Sequence, residues 1–265
     1  MLLYLEYFQE LYRQRKIGRS RDEVIADSAA ISPVDNFWVT KEGLNHTWES
    51  LQAKRDVSYE TSMTTLKNQL NPKDQEKAFK GEKDDYLSVF TIKGNFAKAV
   101  YNGYILKKDN YAEYEVSAYN LAKSLGISCA VAEMREDSIV YLENFTHNTG
   151  KSMVHASELL YDLFSHAQND NQFELAYRLA GENYSFVKAL DRLLILSYLV
   201  ANMDLHEDNF GFLYDTNTFD VVELAPAFDF NSAFRVYEDP TLCYRYVMDN
   251  LKEMLDRNPD ILERK

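Results

Sequence analysis

The sequence predicts an α+β fold, with a small β-rich unit that carries one main helix followed by a larger helical unit. From residue 87 onward, short segments carry hydrophobic residues at every second position, which is typical of strands. A helical pattern then covers 112–125, and a markedly apolar one covers 186–200. The second of these has almost no polar face from Leu193 onward, so it must lie in a core. We place the first unit at 86–148 and the second at 149–265.

A mixed, mostly helical region, 1–85, precedes both units. Helical spacing of apolar residues near the N-terminus supports helix, and no chemistry is visible in this region. Between Lys67 and Lys83 the composition becomes polar and charged, and Asn71-Pro72 is a turn signal. This stretch is therefore the predicted connection into the first unit.

The first unit is predicted to contain strands at 87–91 and 101–106, with turns at 93–95 and 102–103. The helix 112–125 follows and ends at Gly126 as its C-cap. Further strands are expected at 129–134 and 139–145. In the second unit, helices are predicted at 156–167, 172–179, 186–200 and 242–255, and short strands at 212–214 and 219–222.

Composition excludes several classes of protein. Forty-two acidic and twenty-nine basic side chains give a formal charge of −13, which disfavours direct binding to nucleic acid or to anionic membranes. Cys129 and Cys243 are too few and too far apart for a disulfide framework or a metal spacing. No secretory signal and no uncharged apolar run of membrane-spanning length is recognisable. We expect a cytoplasmic protein.

Three oxygen-bearing side chains stand out after the apolar segment 186–200. Asp204 and Asn209 lie five residues apart, and Asp229 follows in Ala225-Pro226-Ala227-Phe228-Asp229. Phosphoryl transfer needs a carboxylate that orients the attacking hydroxyl and hard oxygen ligands that hold magnesium. Asp204 suits the first role, and Asn209 and Asp229 suit the second. The alternative is an ordinary polar surface loop, but such a loop would not require the apolar segments on either side.

These two loops, 202–210 and 224–229, resemble the catalytic and metal loops of HipA-like serine/threonine kinases. The resemblance implies a two-lobed, protein-kinase-like fold that uses ATP and Mg²⁺. It also implies that Asp204 is the catalytic aspartate and that Asn209 and Asp229 are metal ligands. His206 is the histidine of the motif, and we expect it to support the loop rather than transfer protons.

The segment 91–98 is similar to the phosphate-covering loop of the same family. Gly94 can adopt a positive φ that lets backbone N–H groups approach phosphate, and Lys98 adds a charge nearby. A plain hairpin turn is the competing interpretation. Thr91 occupies the position that is autophosphorylated in some relatives.

A strand lysine and a helix glutamate are expected to pair in a kinase N-lobe, where the lysine contacts the nucleotide phosphates. Lys107 and Glu115 are the candidates, with Lys108 and Glu113 as rivals because one residue of register exchanges them. The segment 140–145 resembles the adenine-binding hinge, and Glu143 and Phe145 are assigned to ATP binding by position only. An ordinary edge strand is the alternative.

The predicted function is transfer of the γ-phosphate of ATP to a Ser or Thr hydroxyl of a protein, with possible autophosphorylation. Resemblance covers about 87–237, so this would be a minimal HipA-like kinase, and an antitoxin-like partner is implied by family association alone. Asp204-Leu205-His206 with Asn209 also resembles the loop of aminoglycoside and choline kinases, although Asn202 stands where they carry histidine. A small-molecule phosphotransferase and a non-catalytic pseudokinase that acts as an interaction module remain the alternatives.

Overall fold

The computed structural model describes residues 42, 58–60, 62, 63, 66, 97–108, 111–136, 138–164, 171–202, 204–234 and 242–263. Their contacts define two compact units, and from here on the first and second unit are these two, with residues 111–134 in the second. The first takes its described residues from 1–110 and 135–152, and the second takes them from 111–134 and 153–265. The predicted strand 87–91, the turn 93–95, Thr91 and Gly94 lie outside the described residues, and the domain boundaries inferred from the sequence stay a prediction.

The larger sheet is four-stranded and has the order β1-β2-β4-β3. Its strands are β1 (Ala97–Tyr101), β2 (Tyr104–Lys108), β3 (Ala132–Glu136) and β4 (Ile139–Glu143). Strand β2 pairs antiparallel with both β1 and β4. The predicted turn at Asn102 and Gly103 joins β1 to β2, and both residues have positive φ, 45° and 76°. Two such residues match the twist of a tight hairpin.

The two faces of β2 have different environments. Leu106 lies opposite Ala99 and Tyr141, and these side chains form a small core with Leu66. Lys107 lies on the other face, opposite Lys98 of β1. Strand alternation therefore places the two lysine side chains on one face of the sheet.

Among the described residues, the second unit contains six helices of defined bounds and a three-stranded sheet of order β5-β6-β7. Its strands are β5 (Lys151–His155), β6 (Gly211–Asp215) and β7 (Val221–Leu224). The helices are α1 (Ala112–Leu125), α2 (Ala156–Leu163), α3 (Gln172–Ala180), α4 (Tyr184–Leu199), α5 (Leu242–Arg257) and α6 (Pro259–Glu263). Helix α1 ends at Gly126 in the left-handed conformation, as predicted, and buries Ala118 and Ala122 in the core of this unit.

Helix α4 is central to the second unit. Its consecutive buried residues 193–196 belong to the main hydrophobic core, as the apolar sequence predicts. It also carries Asp191, which is fully buried and bound by Tyr177 of α3 and Arg257 of α5. The helix is therefore fixed to its neighbours by apolar packing and by one charged network.

The predicted α+β class is confirmed, and the differences are local. The strand expected at 129–134 begins at Ala132, because Cys129 instead forms an isolated parallel bridge with Ala227. The segment 140–145 begins as β4, which lies between β2 and β3 and is not an edge strand. Strand β5 was not predicted. In the described part of the chain, no helix is both long enough and apolar enough to cross a bilayer.

Candidate functional site

The loop that follows α4 is anchored by apolar or backbone contacts at both ends. At its start, the Asn202 N–H donates to the Ser197 carbonyl at 2.8 Å, just after Ala201 with φ of 47°. At its end, Phe210 is 2% exposed and stacks on Phe173 of α3. The loop between these anchors contains Asp204, His206 and Asn209.

Two asparagine side chains hold the backbone of Asp204. Its N–H donates to Asn202 Oδ1 at 3.3 Å, and its carbonyl accepts from Asn209 Nδ2 at 2.7 Å. Both asparagines are buried, whereas half of the Asp204 side chain, 51%, is exposed. The fold thus fixes the position of the residue and leaves its carboxylate accessible to a substrate.

His206 faces the same carboxylate. Its Nδ1 accepts from the Asp208 N–H at 3.2 Å, so the hydrogen of a neutral ring is on Nε2. Nε2 lies 3.9 Å from Asp204 Oδ1, which is too long for a hydrogen bond but close enough for electrostatic attraction. This geometry agrees with a supporting role for His206.

Helix α2 supports the loop from the other side, which sequence reasoning missed. Ser157 Oγ donates to Asp208 Oδ1 at 2.6 Å, and the Ser157 N–H donates to the Glu207 carbonyl at 3.0 Å. The Ala156 N–H donates to the Phe210 carbonyl at 3.0 Å. Ser157 and Asp208 are 51 residues apart, so no local sequence signal could have paired them.

Asp229 lies in a segment that is fixed on each side. Before it, Ala227 is hydrogen-bonded to the stretch after α1. Its carbonyl accepts from the Ala130 N–H at 2.9 Å, and its N–H donates to the Ser128 carbonyl at 3.0 Å. Asp229 itself has φ of 64°, a left-handed conformation that non-glycine residues rarely adopt and that often marks functional positions.

Glu115 contacts the residue that follows Asp229. Its Oε2 accepts from the Phe230 N–H at 2.8 Å, and Phe230 is 1% exposed. Glu115 is 2% exposed, whereas its rival Glu113 is exposed. A carboxylate on α1 therefore positions the backbone beside the predicted metal ligand, a role that the sequence did not reveal.

Cys129 lies near enough to Glu115 to be affected by its charge. Burial, and after it the negative charge of Glu115, raises the pKa of the thiol to about 12. At neutral pH the group is a protonated, inert thiol.

The predicted nucleotide residues that the structure describes lie in the first unit, apart from Glu115. Lys107 is 1% exposed and Lys108 is half-buried, which favours Lys107 over its rival. Lys98 lies directly opposite Lys107 in the β1-β2 register. Both side chains therefore lie on one face of the sheet.

The predicted hinge residues follow β4. Glu143 is exposed and Phe145 is half-buried. Between them, Asn144 donates its backbone N–H to the Gly103 carbonyl at 2.9 Å and accepts from Thr146 through its side chain. This segment is fixed against the β1-β2 turn.

The residues of the second unit fit magnesium in their chemistry. Asn209 uses its Nδ2 to hold Asp204, so the oxygen Oδ1 is the atom left for a cation. Asp229 offers a carboxylate. No group of three or more His, Cys, Asp or Glu side chains suited to a metal occurs in the ranges that the structure describes. One carboxylate and one amide suit Mg²⁺, which takes its other ligands from nucleotide phosphates and water.

The HipA-like C-terminal domain family matches residues 52–257 of the chain. The chain belongs to this family. The resemblance predicted from the loops 202–210 and 224–229 is therefore confirmed, and the match begins upstream of residue 86. The HipA-like assignment does not by itself test the individual site residues, which remain predictions.

Two solved structures are similar to this HipA-like chain. The proinflammatory kinase CtkA of Helicobacter pylori is 23% identical over 63% of this chain and 62% of that one, with a TM-score of 0.43. HipA of Shewanella oneidensis MR-1, solved with HipB and operator DNA, is 16% identical over 62% of this chain and 50% of that one, also with a TM-score of 0.43. This chain thus spans less than two thirds of either protein. No curated protein matches it.

Proposed function

We propose that this HipA-like chain is an ATP- and Mg²⁺-dependent kinase that transfers the γ-phosphate to a Ser or Thr hydroxyl of a protein. The observation that carries the proposal is the state of Asp204, whose backbone is held by two buried asparagines while its carboxylate stays accessible. A general base needs both properties, a fixed position and contact with the substrate.

Each loop residue has a role in this proposal. Asp204 accepts the proton of the attacking hydroxyl and orients it. His206, whose Nε2 lies 3.9 Å from Asp204 Oδ1, would steady the carboxylate electrostatically. Asn209 and Asp229 would hold magnesium, which neutralises charge on the nucleotide phosphates when it is bound.

In the first unit, Lys107 and Lys98 bind the phosphates of ATP. Lys107 is almost fully buried and shares one face of the sheet with Lys98. Gly94 of the preceding loop, together with Glu143 and Phe145 of the hinge segment, completes the proposed nucleotide residues. Thr91 remains the proposed autophosphorylation position.

The proposed setting is the cytoplasm, with a protein substrate and an antitoxin-like partner. HipA of Shewanella oneidensis was solved with HipB from its toxin–antitoxin system, and the partner is transferred to this chain by analogy alone. The net charge of −13 argues against direct contact with nucleic acid or membrane.

The proposal is tested with γ-labelled ATP, magnesium and three acceptors: the protein itself, a cytosolic protein extract and a mixture of aminoglycosides and choline. We expect label on Ser or Thr of a protein, and its loss in Asp204→Asn. The control Asp220→Asn removes an exposed carboxylate of the same unit and should retain activity.

Label on the small molecules alone would replace the protein kinase with a small-molecule phosphotransferase. If ATP raised the melting temperature and no acceptor were labelled, the chain would be a pseudokinase. The label position on the protein also tests Thr91.

A further inference from the structure

The second unit contains a cavity of about 330 Å³ that none of the proposed catalytic or metal residues lines. Its three walls are the stretch after α1, the first half of α4, and β7 with the residues that follow it. The volume lies at the lower end of the range for small-molecule sites. A cavity of this size accepts a small molecule rather than a folded partner.

The charged side chains among the residues that line the cavity are basic. Among the described residues that line it, Lys188 and Arg192 are charged and none is acidic, in a chain whose formal charge is −13. The arginine is held in place, because its guanidinium donates to Asn258 Oδ1, the Gly126 carbonyl and Asp260 Oδ2. The Arg192 side chain is therefore a fixed part of the cavity wall.

Lys188 is the cation that can reach a ligand. Its Nζ lies 3.4 Å from Asp260 Oδ1, and 30% of its side chain is exposed. An ammonium has three donors, so it can hold Asp260 and a second anion together. Lys188 and Arg192 share this one carboxylate, which leaves an excess of positive charge at the cavity.

Two further features favour an anion with an apolar body. Ser185 lies in the first turn of the 16-residue helix α4, where the helix dipole is positive, and a second exposed serine, Ser128, also lines the cavity. The remaining surface is aliphatic and includes Ile127, Leu193 and Leu224. A charged group would lie at Lys188 and an apolar group against this surface.

We propose that this cavity is an effector site for a small amphipathic anion, a carboxylate or phosphate monoester on an apolar body. One wall continues α1, which carries Glu115, and another ends at Ala227, shortly before Asp229. A ligand there would contact the residue that caps α1 and Ala227, three residues before Phe230, whose N–H donates to Glu115. The effector role, unlike the binding, rests on the proposed function of Asp229.

Binding is tested with phenyl phosphate and its neutral counterpart benzyl alcohol, by following amide shifts of Ser128, Ser185 and Ala189 in ¹⁵N-labelled protein. We expect phenyl phosphate to shift these amides and benzyl alcohol to have little effect. Lys188→Met should weaken binding about tenfold, as expected for loss of a charge-assisted contact. Asp260→Asn should strengthen it, because the competing carboxylate loses its charge.

Two controls separate this cavity from other surfaces. Lys252→Met removes an exposed lysine of α5 and should change nothing, and Lys107→Met should leave these shifts intact although it impairs nucleotide binding. Equal shifts with benzyl alcohol, or unchanged affinity in Lys188→Met at a wild-type melting temperature, would overturn the site. Tighter binding of a hexaglutamate peptide would reassign it to a partner protein.

The effector role is measured without phosphotransfer. Saturation with phenyl phosphate should slow hydrogen exchange of the Phe230 amide, whose N–H donates to Glu115. Binding without any change in that exchange would contradict the effector role. Because neither measurement needs activity, their failure is distinguishable from failure of the proposed kinase function.

Discussion

Two aspartates of the second unit, Asp191 and Asp204, have opposite surroundings. Asp191 is fully buried and accepts from the Tyr177 hydroxyl at 2.6 Å and from Asn258 Nδ2 at 3.1 Å. Arg257 adds two bonds, from Nε at 2.7 Å and from Nη2 at 2.6 Å. This carboxylate is saturated, and its partners come from two separate parts of the chain, α3 and residues 257–258.

Asp204 has the reverse arrangement, with its backbone saturated and its carboxylate accessible. Its carboxylate lies 3.9 Å from His206 Nε2, which is too far for a hydrogen bond. A saturated buried charge stabilises a fold, whereas an accessible charge on a fixed backbone serves a substrate. The comparison predicts that substitutions at the two aspartates affect different measurements.

Asp191→Ala should have the largest effect on stability. It leaves Arg257 without its buried partner, which costs about 3 kcal/mol or more. Urea unfolding measures the loss, and Asp256→Ala, at an exposed position of α5, is the control. An unchanged free energy of unfolding would show that the network is not structural.

Gly211→Ala should disturb stability and the site together, because Gly211 follows the loop directly. A Cβ at this position would lie 2.5 Å from the Val154 carbonyl oxygen, so the backbone must shift. The expected cost is about 2 kcal/mol, as for overpacking elsewhere. Gly150→Ala is the matched control, since a Cβ there meets nothing within 4 Å. Equal unfolding free energies in the two variants would contradict the close packing of β5 and β6.

His206→Ala should lower the rate of phosphotransfer about tenfold, less than the loss of a group that itself transfers a proton, and leave stability almost unchanged. The reason is that the ring steadies the Asp204 carboxylate without contacting it directly.

Two conservative variants identify which ring nitrogen matters. His206→Gln keeps a donor near Nε2, and His206→Asn keeps an acceptor near Nδ1 for the Asp208 N–H. Rescue by glutamine assigns the role to the attraction toward Asp204. Rescue by asparagine alone would make His206 a purely structural part of the loop.

The smallest predicted effect is a change in the free energy of unfolding at alkaline pH. Burial, the hydrogen bond to Asp191 and the charge of Asp191 raise the pKa of Tyr177 above its ordinary value of 10.0. The folded state therefore holds this proton more tightly, so its contribution to stability is complete below pH 10 and declines as the pH rises further.

Tyr177→Phe should remove this part of the alkaline loss of stability, seen as a flatter dependence of unfolding free energy on pH above about 10. Tyr161→Phe, which changes a tyrosine that is 65% exposed, should not. Identical pH dependence in the two variants would show that Asp191 does not hold the Tyr177 hydroxyl.

The elements that the sequence predicted well carry local signals. Helix α1 has helical spacing and a glycine C-cap, and its predicted bounds match the structure. The apolar helix α4 was placed correctly because a run of consecutive hydrophobic residues predicts burial. The turn at Asn102 and Gly103 was recognised because few residues tolerate its backbone conformation.

What the sequence did not predict depends on partners distant in the chain. Strand β5 has no clear alternation, and it forms because β6 lies beside it. The bond between Ser157 and Asp208 and the bond between Glu115 and Phe230 also join distant segments. Motif spacing identified the loop residues, but the contacts that hold them are set by tertiary packing.

The most direct test of the account is the rate of labelled phosphate transfer from ATP to protein in Asp204→Asn, measured beside its free energy of unfolding. We predict a rate loss of about a thousandfold with wild-type stability, because a general base is removed from an accessible position. Retained transfer, or a loss of rate that follows a loss of stability, would contradict the assignment of Asp204 as the catalytic residue.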